Sequence, residues 1–354
     1  MSEEPRHQGS RDRLSRAEPR RVAAIDCGTN SIRLLIADVS ADPAQAPLAD
    51  VVREMTVVRL GEGVDRTGEF SAAALDRTFA AVERYAALIG EHGVRPQDVR
   101  FVATSASRDV QNRDEFVSGV SARLGTASAP VVPEVISGRE EAELSFAGAA
   151  AASAEALEGK KVLVIDLGGG STEFVLGTIT RDSAGRLSAQ AGPAVSTDMG
   201  CVRFTERHLH SDPPTEAEIG AAQTEVRAFL EEAGAQVPLE QAEAVIGVAG
   251  TVTTITAQAL GLEAYDAGRI DSSELSVAEF GEASRALLHA SREQRAQLGF
   301  MHPGRVDVIG SGALIWSAVL EHLNQVTNGG VTTATASEHD ILDGIALSVG
   351  KGEG

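Results

Sequence analysis

Aliphatic residues along the chain gather in short unbroken runs, and stretches with three- and four-residue apolar spacing lie between them. The run at 22–25 ends at Asp26, passes through Cys27-Gly28-Thr29-Asn30-Ser31 and resumes at 32–37; residues 52–60 predict a third strand. Apolar positions at Leu75, Phe79, Val82 and Ile89 predict a helix, capped at Ser71 and stopped near Gly93. A strand at 101–103, a short helix opened by Asn112 with Glu115, and a strand at 131–136 follow.

The pattern then starts again. A buried strand at 162–165 ends at Asp166 and is followed by Leu167-Gly168-Gly169-Gly170-Ser171-Thr172, a second strand at 174–179 and a third ending near Val195. Helices are predicted at 201–209 and 216–232, a strand at 245–248, and a helix opening at Gly250-Thr251. A strand at 331–335 precedes a final helix from about His339. Each half reads as strand, tight turn, two strands, then alternating helices and strands. The expected fold is therefore α/β, a duplicated domain with mixed sheets flanking a central cleft. We assign residues 21–138 with about 340–354 to domain I, 139–339 to domain II, and 1–20 to a disordered tail rich in arginine (Arg6, Arg11, Arg13, Arg16, Arg20).

The 354 residues leave room for two cores, and 43% hydrophobic content excludes disorder throughout. No run reaches the roughly 18 apolar residues of a membrane span, and no secretory leader pattern opens the chain, so a cytoplasmic protein is expected. Cys27 and Cys201 lie far apart and suggest neither a disulfide framework nor a zinc site. The net charge of −20 excludes a broad nucleic-acid-binding surface. Any phosphate site must overcome that field locally, through backbone N–H groups, a divalent cation and arginine, since lysine occurs only at Lys160, Lys161 and Lys351.

Both Asp-led turns suit that task. A strand that ends in a carboxylate and turns through glycine leaves N–H groups free for phosphate oxygens while the Asp holds a metal. Three successive glycines exceed the need of a plain hairpin, and close approach to an anion is the expected reason. Gly247-Val-Ala-Gly250-Thr251 joins a strand to a helix start, again a place for anions. Ser137 and Glu140 have the spacing of a capping box. Glu141 shares its stripe with Leu144 and Gly148, so it should face inward, where a carboxylate beside phosphates would have a raised pKa and could deprotonate water. Arg305 and Asp307 read as a structural ion pair, and His289, His302 and His339 show no metal-ligand spacing.

These elements together resemble the actin, Hsp70 and sugar-kinase superfamily, with its actin-like (ribonuclease H-like) domains. Their wording resembles one branch, the exopolyphosphatase and guanosine pentaphosphate phosphatase (Ppx/GppA) family, in its short form. The matching motifs occur in the family's order: Ile25-Asp-Cys-Gly-Thr-Asn-Ser-Ile-Arg-Leu-Leu35, Arg59-Leu-Gly-Glu-Gly63, Ala103-Thr-Ser-Ala-Ser-Arg108, Val135-Ile-Ser-Gly-Arg-Glu-Glu-Ala142, Val164-Ile-Asp-Leu-Gly-Gly-Gly-Ser-Thr-Glu173 and Gly247-Val-Ala-Gly-Thr251. The resemblance implies an exopolyphosphatase that releases terminal orthophosphate from polyphosphate by metal-assisted attack of water. It implies Glu141 as base and Glu173 as a second acidic residue that orients water or ligates metal. Asp26 and Asp166 would hold Mg²⁺ (or Mn²⁺). Gly28, Thr29, Asn30, Ser31, Arg108, Gly168, Gly169, Gly170, Ser171, Thr172, Gly250 and Thr251 would bind phosphate. The alternative is hydrolysis of guanosine pentaphosphate (pppGpp); a nucleotide or alarmone sensor and a small-molecule kinase are more distant. Longer family members carry an extra C-terminal domain; this chain is expected to lack it, which points to short polyphosphate. Polyphosphate or pppGpp is the implied partner, with no nucleic acid, no membrane and homodimerisation left open.

Overall fold

In a computed structural model the protein is described over residues 19–40, 47–108, 110–181, 185 and 187–350. Of the arginine-rich tail only Pro19 and Arg20 lie within these residues; Arg20 begins the first strand instead of ending the tail and donates to Asp98 at 2.8 Å.

Strand β1 (Arg20–Cys27) pairs antiparallel with β2 (Ser31–Val39), and β2 with β3 (Leu48–Val57). Helices α1 (Val64–Thr67) and α2 (Ala72–Glu91) lead to β4 (Val99–Ala103), which returns parallel to β1. After α3 (Arg113–Ser121) come a small hairpin, β5 (Gly125–Thr126) with β6 (Ala129–Pro130), and β7 (Glu134–Val135) beside β4. Helix α4 (Gly138–Ala152) crosses to the second half, where β8 (Lys161–Leu167), β9 (Thr172–Arg181) and β10 (Leu187–Thr197) form an antiparallel meander. Then follow α5 (Cys201–His208), α6 (Glu216–Gln236), β11 (Ala244–Val248) parallel to β8, and α7 (Ala249–Ala259). The second half closes with α8 (Ala267–Ile270), β12 (Glu274–Ser276), α9 (Val277–His289), α10 (Arg292–Ala296), α11 (Ile309–Val326), β13 (Thr333–Ala336) and α12 (Ile341–Gly350).

The sheets run β3-β2-β1-β4-β7 and β10-β9-β8-β11-β13-β12. The first four strands of each follow one scheme, so the duplication read from the two Asp-led turns is a duplication of topology. The result is the duplicated α/β pair of mixed sheets expected above.

Local differences have local causes. Only Glu134–Val135 of the predicted 131–136 strand joins the sheet, because Pro133 brings no N–H to a ladder. Strand β3 ends at Val57 instead of 60, since Val58 and Arg59 both donate to the Asn30 carbonyl, at 3.0 and 2.8 Å. The final helix begins at Ile341, two residues later than predicted, with the Asp340 carboxylate accepting from the Leu342 N–H at 3.0 Å.

Each sheet buries its outer face under its own helices: α2 and α3 over the first, and α5, α6, α7, α9 and α11 over the second. The inner faces are covered by two helices that cross one another. Helix α12 packs Ile341, Leu342 and Ile345 on Val22, Ala24 and Leu35 of the first sheet. Helix α4 packs Ala142, Phe146 and Ala149 on Val162, Val164 and Val175 of the second. They meet backbone to backbone through Gly148 and Gly344: a Cβ at Gly148 would collide with the Asp340 carbonyl, and one at Gly344 with that of Leu144.

Candidate active site

Both Asp-led turns close with the same hydrogen bond, Gly28 N–H to Ser31 carbonyl at 2.9 Å and Gly168 N–H to Ser171 carbonyl at 3.0 Å. They also touch each other. A Cβ at Gly169 would lie 3.0 Å from Cβ of Thr29, and one at Gly170 2.5 Å from its hydroxyl and 2.7 Å from that of Ser105. Part of the reason for the glycines is therefore different from the one the sequence suggested: these two make room for the opposite turn as well as for a ligand. The carbonyls of the triple-glycine turn are already engaged. Cys201 N–H reaches Gly168 O at 3.0 Å, Val202 N–H reaches Gly169 O at 2.8 Å, and Arg203 Nε reaches Gly170 O at 2.8 Å. Helix α5 thus spends its unpaired N-terminal donors on the turn; the Gly168 amide closes the turn on Ser171, and the amides of Gly169, Gly170 and Ser171 are left for something else.

Five buried carboxylates, Asp26, Glu141, Asp166, Glu173 and Asp340, gather behind the turns. Cross-strand register puts Arg33 opposite Asp26 and Glu173 opposite Asp166, so corresponding places in the two halves hold opposite charges. Arg33 donates to Asp26 Oδ2 at 2.6 and 3.0 Å and also pairs with Asp340. Burial raises the Asp26 pKa, an effect Arg33 partly offsets. Asp166 lacks a facing cation; burial and then the Glu173 charge push it up to about 8, against a 2.5 Å hydrogen bond from Ser145. Glu141 is raised well above the carboxylate range by burial and by Glu173, with Arg108 opposing. Glu173 is itself raised by burial, and it accepts from Ser196 at 2.6 Å.

Ser137 caps α4 by accepting from Glu140 N–H at 3.2 Å, but the box does not close, because the Glu140 carboxylate turns to Arg100 at 2.8 Å. Glu141, as its stripe predicted, faces inward and is 7% exposed. It lines a cleft together with Asp26, Asp166, Gly28 to Ser31, Gly168, Gly169, Ser171, Gly250 and Thr251. Four predicted residues lie outside that lining. The Thr172 hydroxyl is spent on the Met199 carbonyl, and Gly170 faces Thr29 and Ser105. Glu173 is 1% exposed beneath Asp166. Arg108 pairs with Glu141, donates to the Ile136 carbonyl at 3.1 Å and borders a separate cavity.

Sequence reasoning missed Arg33, Ser105, Asp340 and Arg305. The expected Arg305–Asp307 pair does not form, since residues two apart on a tight helical turn face different ways. Asp307 binds Arg59 at 2.8 Å, while Arg305 lies over Gly250 in the cleft, donates to Thr254 at 3.1 Å and has no carboxylate partner among the described residues. Ala249, also in the lining, holds a left-handed φ of 73°, a strained conformation where α7 begins. His289 is exposed, His302 accepts from Gly304 N–H at 3.1 Å, and His339 meets Asp343 at 2.9 Å. Cys27 and Cys201 are free thiols.

Among the described residues no three His, Cys, Asp or Glu side chains converge to ligate an ion by themselves. Yet Asp26 Oδ1 is buried without a hydrogen-bond partner. A hard cation completed by water and phosphate oxygens suits such a site better than an all-protein cage. No helix among the described residues is long and apolar enough to cross a membrane.

Comparison with known proteins identifies relatives over nearly the whole chain. Exopolyphosphatase 2 of Mycobacterium tuberculosis is 50% identical over 329 residues, 93% of this chain and 98% of that one. The crystal structure of an exopolyphosphatase-like protein superposes with a TM-score of 0.86 at 43% identity, covering 95% of this chain and 99% of the other. The Aquifex aeolicus PPX-GPPA enzyme gives a TM-score of 0.71 at 27% identity, covering 93% and 99%. The Ppx/GppA phosphatase family model matches residues 36–349, and the chain belongs to that family.

Proposed function

We propose that the protein releases terminal orthophosphate from inorganic polyphosphate, short chains first. The observation that carries this reading is Glu141: a buried carboxylate with raised proton affinity, facing the cleft where the two turns meet. Amides of both turns, the N-terminus of α7 and Arg305 would hold the phosphates. Glu141 takes a proton from water as the water oxygen attacks the terminal phosphorus, and the bond to the bridging oxygen breaks. Orthophosphate leaves, and the shortened chain keeps the bridging oxygen. Asp26 and Asp166 are the residues to hold Mg²⁺ (or Mn²⁺), which when bound would neutralise charge on the non-bridging oxygens. Glu173 acts through its neighbours, raising the proton affinity of both Asp166 and Glu141.

A net charge of −20 disfavours long polyanions, whose many charges would meet repulsion beyond the cleft. The lobes follow the same reading, 21–138 with the chain from about 340, and 139–339; it is supported by α12 packing on the first sheet and α4 on the second. The test measures phosphate release with Mg²⁺ from tripolyphosphate, long polyphosphate, pppGpp and ATP in parallel. Tripolyphosphate should be turned over fastest, and Glu141→Gln should lower kcat by about 10²–10⁴ with KM little changed. A near-normal kcat in that variant removes Glu141 as base, and faster turnover of pppGpp transfers the function to the alarmone.

A further inference from the structure

The Arg59-Leu-Gly-Glu-Gly63 motif and α1 lie outside the catalytic lining, yet they bridge the two halves. Val58, Leu60 and Phe70 anchor this segment in the first core, while Val202 and Phe204 anchor α5 in the second. Between those anchors, Asp65 takes Arg203 on one oxygen and Arg207, at 2.8 Å, on the other. Gly63 N–H donates to Glu206 at 3.1 Å, and Arg59 meets Asp307 at 2.8 Å. Arg203 is the informative member, because the guanidinium that pairs with Asp65 also donates through Nε to the Gly170 carbonyl of the triple-glycine turn.

We propose that Arg203 is a positioning residue: it orients the triple-glycine turn, and it does so in register with the opposite lobe because Asp65 holds its far end. One planar group makes both bonds, so the distance between α1 and α5 and the tilt of the Gly170 peptide are linked. Separation of the lobes pulls the guanidinium off the carbonyl and lets the turn amides rotate; approach restores both. Arg203 lies outside the catalytic lining and borders instead a small cavity beside Gly61 and Asp65 and an open one beside Glu62 and Arg207, so it acts on the turn and not on substrate. Asp198, 3.4 Å from Arg203, competes for the same cation and would receive it when Asp65 withdraws. The proposal rests on the reading that the turn cradles phosphate.

The experiment compares wild type with Asp65→Asn, Asp65→Glu and Arg203→Gln. It records kcat and KM for tripolyphosphate with Mg²⁺, the melting midpoint, and amide exchange of Gly63 and residues 168–171 without substrate. Asp65→Asn should raise KM about tenfold with kcat within about threefold, Arg203→Gln should lower kcat/KM by about 100-fold, and Asp65→Glu should recover most of the loss. Turn amides should exchange faster in Asp65→Asn while its melting midpoint stays at the wild-type value. A melting loss with unchanged KM and unchanged turn exchange would assign Asp65 and Arg203 a structural role and overturn the proposal. Should wild type release no phosphate from tripolyphosphate, long polyphosphate, pppGpp or ATP, the functional reading fails, and turn exchange in Asp65→Asn still decides whether the lobes and the turn are coupled.

Discussion

Gly148→Ala probes the crossing of α4 and α12, where the structure makes a quantitative demand. On an open helix face the change is stabilising by about 0.5–1 kcal/mol, because glycine loses more backbone entropy on folding. At Gly148 the new methyl group would run into the Asp340 carbonyl, 2.8 Å from its carbon and 2.9 Å from the Gly344 nitrogen. These are backbone atoms of the partner helix, so no side chain can rotate away. Overpacking of this kind costs about 1–3 kcal/mol. The net expectation is a loss of about 1–2 kcal/mol, or about 2–8 °C in melting midpoint at 2–4 °C per kcal/mol. Activity should fall too, by about tenfold or more, because α4 carries Glu141 and Ser145 and the residue displaced on the α12 side, Asp340, holds Arg33. Gly220→Ala, in α6 with nothing within 4 Å, is the control and should stabilise. Calorimetry and phosphate release on the three proteins check the argument; a Gly148→Ala variant as stable and active as Gly220→Ala refutes the close crossing.

The buried carboxylates give two further predictions. Acids whose folded-state pKa is raised above the unfolded value favour the folded protein when protonated, so their contribution is full below the unfolded value and is lost as pH rises through the folded one, about 8 for Asp166. The metal-free melting midpoint should therefore rise as pH falls from about 8.5 to about 5.5, and Glu141→Gln should flatten that slope; a midpoint that falls on acidification, equally in both proteins, contradicts the charge repulsion described here. Arg108 opposes the rise of the Glu141 pKa, so Arg108→Gln should move the acid limb of the kcat–pH profile to higher pH, and an unmoved limb would uncouple the pair.

The residues most legible in the sequence were those whose chemistry acts over a few positions. The Asp-led turns, the Ser71 and Ser137 caps and the inward stripe of Glu141 all depend on neighbours within one turn or one strand. What escaped depends on partners far along the chain. Arg33 meets Asp340, Asp307 meets Arg59, and Arg305 settles over Gly250; no local spacing encodes such pairs. The triple glycine shows the intermediate case. Its smallness was readable, but the cause includes Thr29 from the other turn, and only the assembled fold brings Thr29 there.

Asp26 and Asp166 are each tied to one of the two crossing helices, the first through Arg33 and Asp340 beside α12, the second through Ser145 on α4. Points near an axle travel least when a wheel turns. If the lobes swing about the place where Gly148 and Gly344 touch, the rim of the cleft sweeps through the largest arc while the paired aspartates barely change separation. The molecule could then open wide enough to exchange its ligand without dismantling the charged centre that works on it.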